Sequence, residues 1–339
     1  MPDLVQTLSK LYAPLIGWIL VGWVLGRLLP KRVPVRLGQL LLRVGIPISV
    51  ISFLYRTDLS GLILVGPATA WVAMLSGAMF AWLWIELGLG DERLKSLAIG
   101  LGGEQTTDQP LVSQWSSPVQ GSFFLAMMIG NTGYMGFPVV LNLVGEKYFA
   151  WALFYDLLGS FFGTYVLGVA IAAKYGTAHR LKKVELLQKV LKNPALWGMG
   201  AGLLLRLLAE WKLLILPHMV QDGLRGMAWT SVNLALVLIG MQISQLKSLN
   251  KIKQAVPCLG IKMILIPLVV GTGLMFFGIN FDQRLALVLQ MGMPPAFATV
   301  VFAENYGLDR ELAVTNVVCG FFVLLLLLPL WIWLFGSVT

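Results

Sequence analysis

Apolar residues fill this chain in long stretches parted by short polar connections. Ten such stretches predict helices at about 11–29, 37–55, 62–88, 121–143, 148–173, 195–209, 224–245, 255–278, 284–303 and 310–335. A helix crosses the hydrocarbon core with about 20 apolar residues, so nearly the whole chain reads as membrane spans with short loops. Two stretches carry interruptions. Asn131-Thr132-Gly133-Tyr134-Met135-Gly136-Phe137-Pro138 breaks the stretch from about Phe123 to Val144. Gly292-Met293-Pro294-Pro295-Ala296 breaks the stretch from about Leu285 to Phe302. Glycine, proline and a buried amide do not belong in a plain span. Freed backbone at membrane depth is tolerated only where protein or a wet cavity satisfies it. Helices broken at mid-depth are a common way of building a transport site.

Composition agrees with this pattern. Of 339 residues, 58% are hydrophobic and 12% charged, with mean hydropathy +0.80. A soluble domain carries roughly 25% charge, and the connections leave no room for one. The net charge of +9 is topological information rather than a nucleic-acid footprint. Arg27, Lys31, Arg32 and Arg36 follow span 1. Lys174, Arg180, Lys182, Lys183, Lys189 and Lys192 follow span 5, and Lys247, Lys251 and Lys253 follow span 7. The alternate connections hold few: Arg56, Lys147, Arg284, and Lys212 with Arg225. Basic loops stay in the cytoplasm, which puts both termini outside. The N-terminus lacks a basic n-region and a small-residue cleavage site, so its first stretch reads as an uncleaved span. Cys258 and Cys319 fit neither a disulfide framework nor a metal spacing.

Five spans on each side of a basic loop give two halves of opposite orientation. They are 1–174 and 195–339, joined by a cytoplasmic loop at 175–194. The expected fold is therefore an all-α membrane protein built as a 5+5 inverted repeat, with broken helices 4 and 9. Faint echoes support it: residues 41–49 resemble 227–235, which sets Pro47 against Asn233, and residues 141–147 resemble 302–307. A segment from Gly102 to Pro118, rich in Gln, Thr, Ser and Pro, reads as an exposed loop.

Gly130 through Pro138, together with Met293-Pro294-Pro295-Ala296 and Ala303-Glu304-Asn305-Tyr306-Gly307, resembles the auxin efflux carrier family across essentially the whole chain. That family includes plant exporters and bacterial transporters of small organic acids. The resemblance implies the ten-helix fold of bile acid/sodium symporters, a crossover of helices 4 and 9, and transport by moving one domain against another. It also implies a scaffold of spans 1, 2, 6 and 7, a transport domain of spans 3–5 and 8–10, and a homodimer through the scaffold. Two features depart from the family pattern: Asn233 stands where proline is expected, and the segment at Gly102–Pro118 is long.

The substrate-binding candidates are Asn131, Thr132, Tyr134, Pro138, Met293, Pro294 and Pro295, with Ser49 and Asn233 on the scaffold side. The Asn131 amide is both donor and acceptor. It either holds a carboxylate or caps a half-helix. The prolines open the helical ladder, and Gly130, Gly133 and Gly136 let backbones approach. Asp156, Lys262 and Asn316 are candidates for coupling to protons. Asp156 is either an intramembrane pathway acid or a solvated interfacial one. Lys262 either snorkels to the surface or stays inside, where its ammonium would stand in for a bound cation. Asn316 falls where the repeat places Asp156. Asn142, Gln290 and Thr299 read as packing hydrogen bonds, and Glu304 as interfacial. No cofactor or metal is expected, and His179 and His218 lie in or beside loops.

Function follows from these groups. A secondary transporter of a small organic anion fits best, with lipid, substrate and possible protons as its partners. A cation/proton antiporter or sodium-coupled symporter of the same fold is the alternative. No His-Glu-x-x-His helix, nucleophile elbow or phosphate loop supports an enzyme or an ATP-driven pump.

Overall fold

The computed structural model describes residues 2–57, 64–88, 115–177, 188, 191–245 and 250–336. Most of the Gly102–Pro118 segment, the centre of the 175–194 loop and His179 lie outside the described residues. Within them every regular element is helical. In chain order they are α1 (Pro2–Leu28), α2 (Arg32–Arg56), α3 (Val65–Glu86), α4 (Ser117–Met128), α5 (Phe137–Leu143), α6 (Glu146–Tyr175), α7 (Pro194–Glu210), α8 (His218–Gln245), α9 (Ile252–Phe277), α10 (Phe281–Met291), α11 (Ala298–Tyr306) and α12 (Arg310–Phe335). Six of them, α2, α3, α6, α8, α9 and α12, are long and apolar enough to cross a membrane. The chain is an integral, multi-pass membrane protein.

The apolar stretches located the helices but not always their ends. α1 begins at Pro2 and α8 at His218, each several residues ahead of its apolar run. Intrahelical hydrogen bonds continue past the hydrocarbon edge, where hydropathy no longer marks them. Ser117 and Pro118 open α4 rather than closing a loop. Proline suits that first turn because its missing N–H would lack an intrahelical partner there anyway.

The sequence pattern gave no sign of the π-turns inside the helices. Three of them, Leu41–Gly45, Thr132–Gly136 and Ile261–Leu265, stand just ahead of Pro47, Pro138 and Pro267. A proline ring clashes with the carbonyl four residues back. In each case that carbonyl lies within the widened turn, which relieves the clash. Two further π-turns, Tyr155–Ser160 and Thr164–Gly168, lie in α6.

Packing divides the helices into two sets. α1, α2, α7 and α8 pack on one another, while α3 packs on α4 and α6, and α12 on α4, α9, α10 and α11. The α1–α8 contact is nearly backbone to backbone. A Cβ added at Gly240 would lie 2.0 Å from the Ile19 carbonyl oxygen, and one at Gly22 would lie 2.0 Å from that of Val237. Small residues drive such close association where lipid removes the usual hydrophobic drive. Backbone cannot swing aside as a side chain can. Gly240→Ala is therefore expected to cost about 1–3 kcal/mol, read as a lower unfolding midpoint in detergent. Gly17→Ala in the partner helix α1, with nothing within 4 Å of its added Cβ, should not lower the midpoint.

Candidate functional site

The two interrupted helices meet at their breaks. α4 ends at Met128 and the chain runs extended through Ile129. Gly130 and Pro295 then form an antiparallel bridge. The Asn131 backbone N–H donates to the Pro294 carbonyl at 2.8 Å, and the Ala296 backbone N–H donates to the Ile129 carbonyl at 3.0 Å. Backbone groups freed by one break are thus satisfied by the other. Pro294 and Pro295 carry no N–H, so two donors that would otherwise need partners here are absent. Gly136 lets α10 pass: a Cβ there would fall 2.2 Å from Gln290 Oε1. A Cβ at Gly133 would meet only ordinary contact, 3.5 Å from Asp156 Oδ2, so close approach does not require glycine there.

Polar side chains gather around this bridge from three π-turns. Thr132 stands on the first, Asp156 on the second and Lys262 on the third. Such turns aim side chains that a regular helix would not. Thr132 Oγ1 donates to Asp156 Oδ1 and lies 3.4 Å from Ser160 Oγ. Asp156 is therefore joined to the break rather than solvated at the interface. Lys262 does not snorkel. It is 5% exposed, and its Nζ lies 3.2 Å from where a Gly130 Cβ would sit. The π-turn directs it inward, and it forms none of the ion pairs found among the described residues. Between these groups is a cavity of about 10 Å³ lined by Gly130, Thr132, Ser160, Lys262 and Gln290, room for about one water. Gln290 Oε1 is buried there without a partner.

Asn131 faces the other way. Its side chain makes no capping hydrogen bond, so the capping reading fails. It lines a small cavity with Gln242 of α8, Pro294, Pro295 and Phe321. A third cavity, of about 20 Å³, lies between the helix sets and is lined by Ser49, Gly133, Tyr134, Pro138, Ser231 and Val232. Ser49 lines it, bonded to the Gly45 and Ala228 carbonyls at 2.8 and 3.3 Å. Asn233 lines none of the three cavities. The α8 residues facing this one are Ser231, Val232 and Ala235, and helical spacing turns 233 onto another face. The faint register that set Pro47 against Asn233 also sets Gly45 against Ser231, and those two lie against each other.

The remaining candidates fall apart from this cluster or serve the backbone. Met293 is fully buried, and its carbonyl rather than its side chain is the group near Gly130. Asn316 lines none of these cavities. It is buried in α12, its Nδ2 donating to the Leu312 carbonyl at 3.0 Å and its Oδ1 without a partner. Asn142 and Thr299 bond to the Pro138 and Ala296 carbonyls, as packing groups do. Glu304 pairs with Arg310 at 2.6 Å near the surface. Ser160, Ser231 and Gln242 carried no signal of their own, since a lone Ser or Gln in an apolar helix is ordinary.

The Thr132–Asp156 bond is expected to hold the break against α6. Thr132→Val should destabilise the protein by about 1.5–3 kcal/mol, the range for a hydrogen bond to a charged group. Thr132→Ser should restore most of it. Thermal unfolding of both variants in one detergent tests this, and equal midpoints for Val and Ser would refute it.

Comparison with known proteins agrees with this architecture. Residues 114–332, which include both breaks, match the family described as membrane transport protein. An uncharacterised transporter of Methanothermobacter thermautotrophicus is 26% identical over 331 residues, covering 96% of this chain and 95% of the relative. An uncharacterised transporter of Methanocaldococcus jannaschii is 26% identical over 214 residues, 63% of this chain and 68% of the relative. A probable auxin efflux carrier component 5a of Oryza sativa subsp. japonica is 26% identical over 142 residues, 41% of this chain and 39% of the relative. With its interrupted helices inside the matched region, the chain belongs to the auxin efflux carrier family of membrane transport proteins.

Proposed function

We propose that this transporter carries a small organic anion, a carboxylate of aryl, indole or dicarboxylic type, through the crossing of the broken helices. The observation that supports this reading most is the unengaged side-chain amide of Asn131, held beside Pro294 and Pro295 by the backbone bridge. An amide N–H with no internal partner is a ready donor to a carboxylate. The N-terminus of α11 beside it adds a partial positive charge. The rice relative, named as a probable auxin efflux carrier component, fits a carboxylate cargo.

In this reading α4 with α5, and α10 with α11, are the fourth and ninth spans of a ten-span inverted repeat with both termini outside. α1, α2, α7 and α8 act as the scaffold, and the other helices shift across it as an elevator. The site then faces each side in turn, with Ser49 and Tyr134 lining the boundary between the sets. The membrane potential contributes about 2.3 kcal/mol per charge per 100 mV, which favours anion export from a negative interior. Asp156, bonded to the break through Thr132, is the group through which a proton gradient would couple. A sodium-coupled mechanism fits less well, because the Lys262 ammonium already stands at the break.

Reconstituted protein should take up at least one of labelled succinate, benzoate and indole-3-acetate saturably, with a rate that responds to an imposed potential or pH gradient. Asn131→Ala should lower kcat/KM by about tenfold or more, equivalent to roughly 1.4 kcal/mol of lost hydrogen bonding. Robust uptake unaffected by Asn131→Ala would move the site elsewhere. Cation-dependent pH changes without carboxylate flux would favour the antiporter.

A further inference from the structure

Around the first turns of α8 lies an open groove of about 570 Å³, a volume typical of small-molecule sites. Several basic residues that the sequence scatters over thinly charged connections converge here. Arg56 ends α2, Lys147 lies in the first turn of α6 and Arg225 stands on the first turns of α8, with Arg206 of α7 beside them. The arginines are engaged with carboxylates, Arg56 with Asp222 at 3.1 Å, Arg206 with Glu210 at 2.8 Å and Arg225 with Glu146 at 2.8 Å. Each of these pairs uses one nitrogen of a guanidinium that offers five N–H donors, and Arg206 donates through a second to the Tyr55 carbonyl at 3.0 Å. Pairs exposed to solvent hold weakly.

Glu146 is the centre of this arrangement. It is the first residue of α6, yet its partners belong to the other helix set. Arg225 Nε and Trp229 Nε1 of α8 both donate to Glu146 Oε1 at 2.8 Å, and Thr57 Oγ1 donates to its carbonyl at 2.8 Å. A carboxylate gripped by a guanidinium, with an indole N–H on the same oxygen, is what an organic-acid site looks like when occupied. Here the occupant is part of the chain. Beneath it the two sets close on aromatic rings. Phe53 of α2 packs edge-on to Phe149 of α6 at 5.2 Å and to Trp229 at 6.0 Å, and Phe149 packs on Phe137 at 5.0 Å. Trp229 thus joins the polar latch to the aromatic plug. Below the plug is the cavity of Ser49, Tyr134 and Pro138 beside the break.

The geometry points to this groove as a docking vestibule for carboxylates, in which an arriving carboxylate replaces Glu146 on Arg225 and Trp229 and so frees the plug beneath. This rests on the organic-anion reading and adds to it a second site, distant from the crossover, with its own gate. Occupancy exchanges one carboxylate for another on the same donors, and the displaced Glu146 carboxylate passes to the water of the open groove. Arg225 is a binding residue of the vestibule, and Glu146 is its displaceable stand-in.

The test uses Ser49→Cys as a reporter, since Ser49 is buried below the plug. Purified full-length protein is treated with a hydrophilic maleimide, and labelling of the peptide bearing position 49 is followed by mass spectrometry. Benzoate or succinate, against chloride at equal ionic strength, should accelerate labelling several-fold. Glu146→Ala should label fast without carboxylate and respond to it no further. Arg225→Ala should abolish the response. The proposal is overturned if Glu146→Ala labels at the parental rate, if neither carboxylate changes labelling of the Ser49→Cys protein, or if the response survives Arg225→Ala. The Ser49→Cys protein with and without carboxylate needs no latch variant, so misfolding of Glu146→Ala or Arg225→Ala cannot mask the outcome. Carboxylate flux in liposomes without any response at position 49 removes the vestibule alone. Absence of flux for every carboxylate removes the anion reading itself.

Discussion

Everything at the centre of this protein depends on backbone groups finding partners where lipid offers none. A helix can be broken at membrane depth only if its freed N–H and C=O groups are satisfied within the protein, each failure costing several kcal/mol. Here two breaks satisfy each other. Asn131 donates to Pro294, Ala296 donates to Ile129, and Gly130 pairs with Pro295. Neither break is tenable alone. The bridge therefore fixes where α4 and α10 cross, and this brings side chains from three separate π-turns to one place.

The prolines act at two levels. At 294 and 295 they remove donors that would have to be satisfied. At 47, 138 and 267 they widen the preceding turn, and two of those turns carry Thr132 and Lys262. The same residue type thus opens the ladder and re-aims the polar groups beside it. Two cavities result. Thr132, bonded to Asp156, and Lys262 line a water-sized cavity, and Asn131 lines another toward α8. A carboxylate arriving at Asn131 and a proton held at Asp156 would both act on one short segment, an arrangement suited to coupling them.

Much of this was legible along the chain. The breaks announced themselves because glycine and proline carry local backbone consequences wherever they stand. Asp156 and Lys262 stood out because a charge inside an apolar run is costly and calls for a reason. Asn233 misled, since an internal echo pairs positions without saying which of them turns toward a cavity; two residues along a helix turn a side chain by about 200°. Ser231 holds the place instead. Glu146 carried no signal, since nothing near it in sequence suggests that Arg225 and Trp229 grip it.

The sequence by itself determined a helical membrane protein, the places where two helices must break, and the polar groups hydrocarbon would not tolerate without a purpose. These are properties of single residues and short runs: side-chain transfer free energies, the missing proline N–H, the absent glycine Cβ. Only the tertiary structure decided that residue 130 meets residue 295, that the Asn131 amide stays unengaged while Lys262 turns inward, and that Glu146 spans two helix sets. Those outcomes depend on helix rotation and on distances between residues far apart in sequence, and a rotation leaves no mark on the order of residues along the chain.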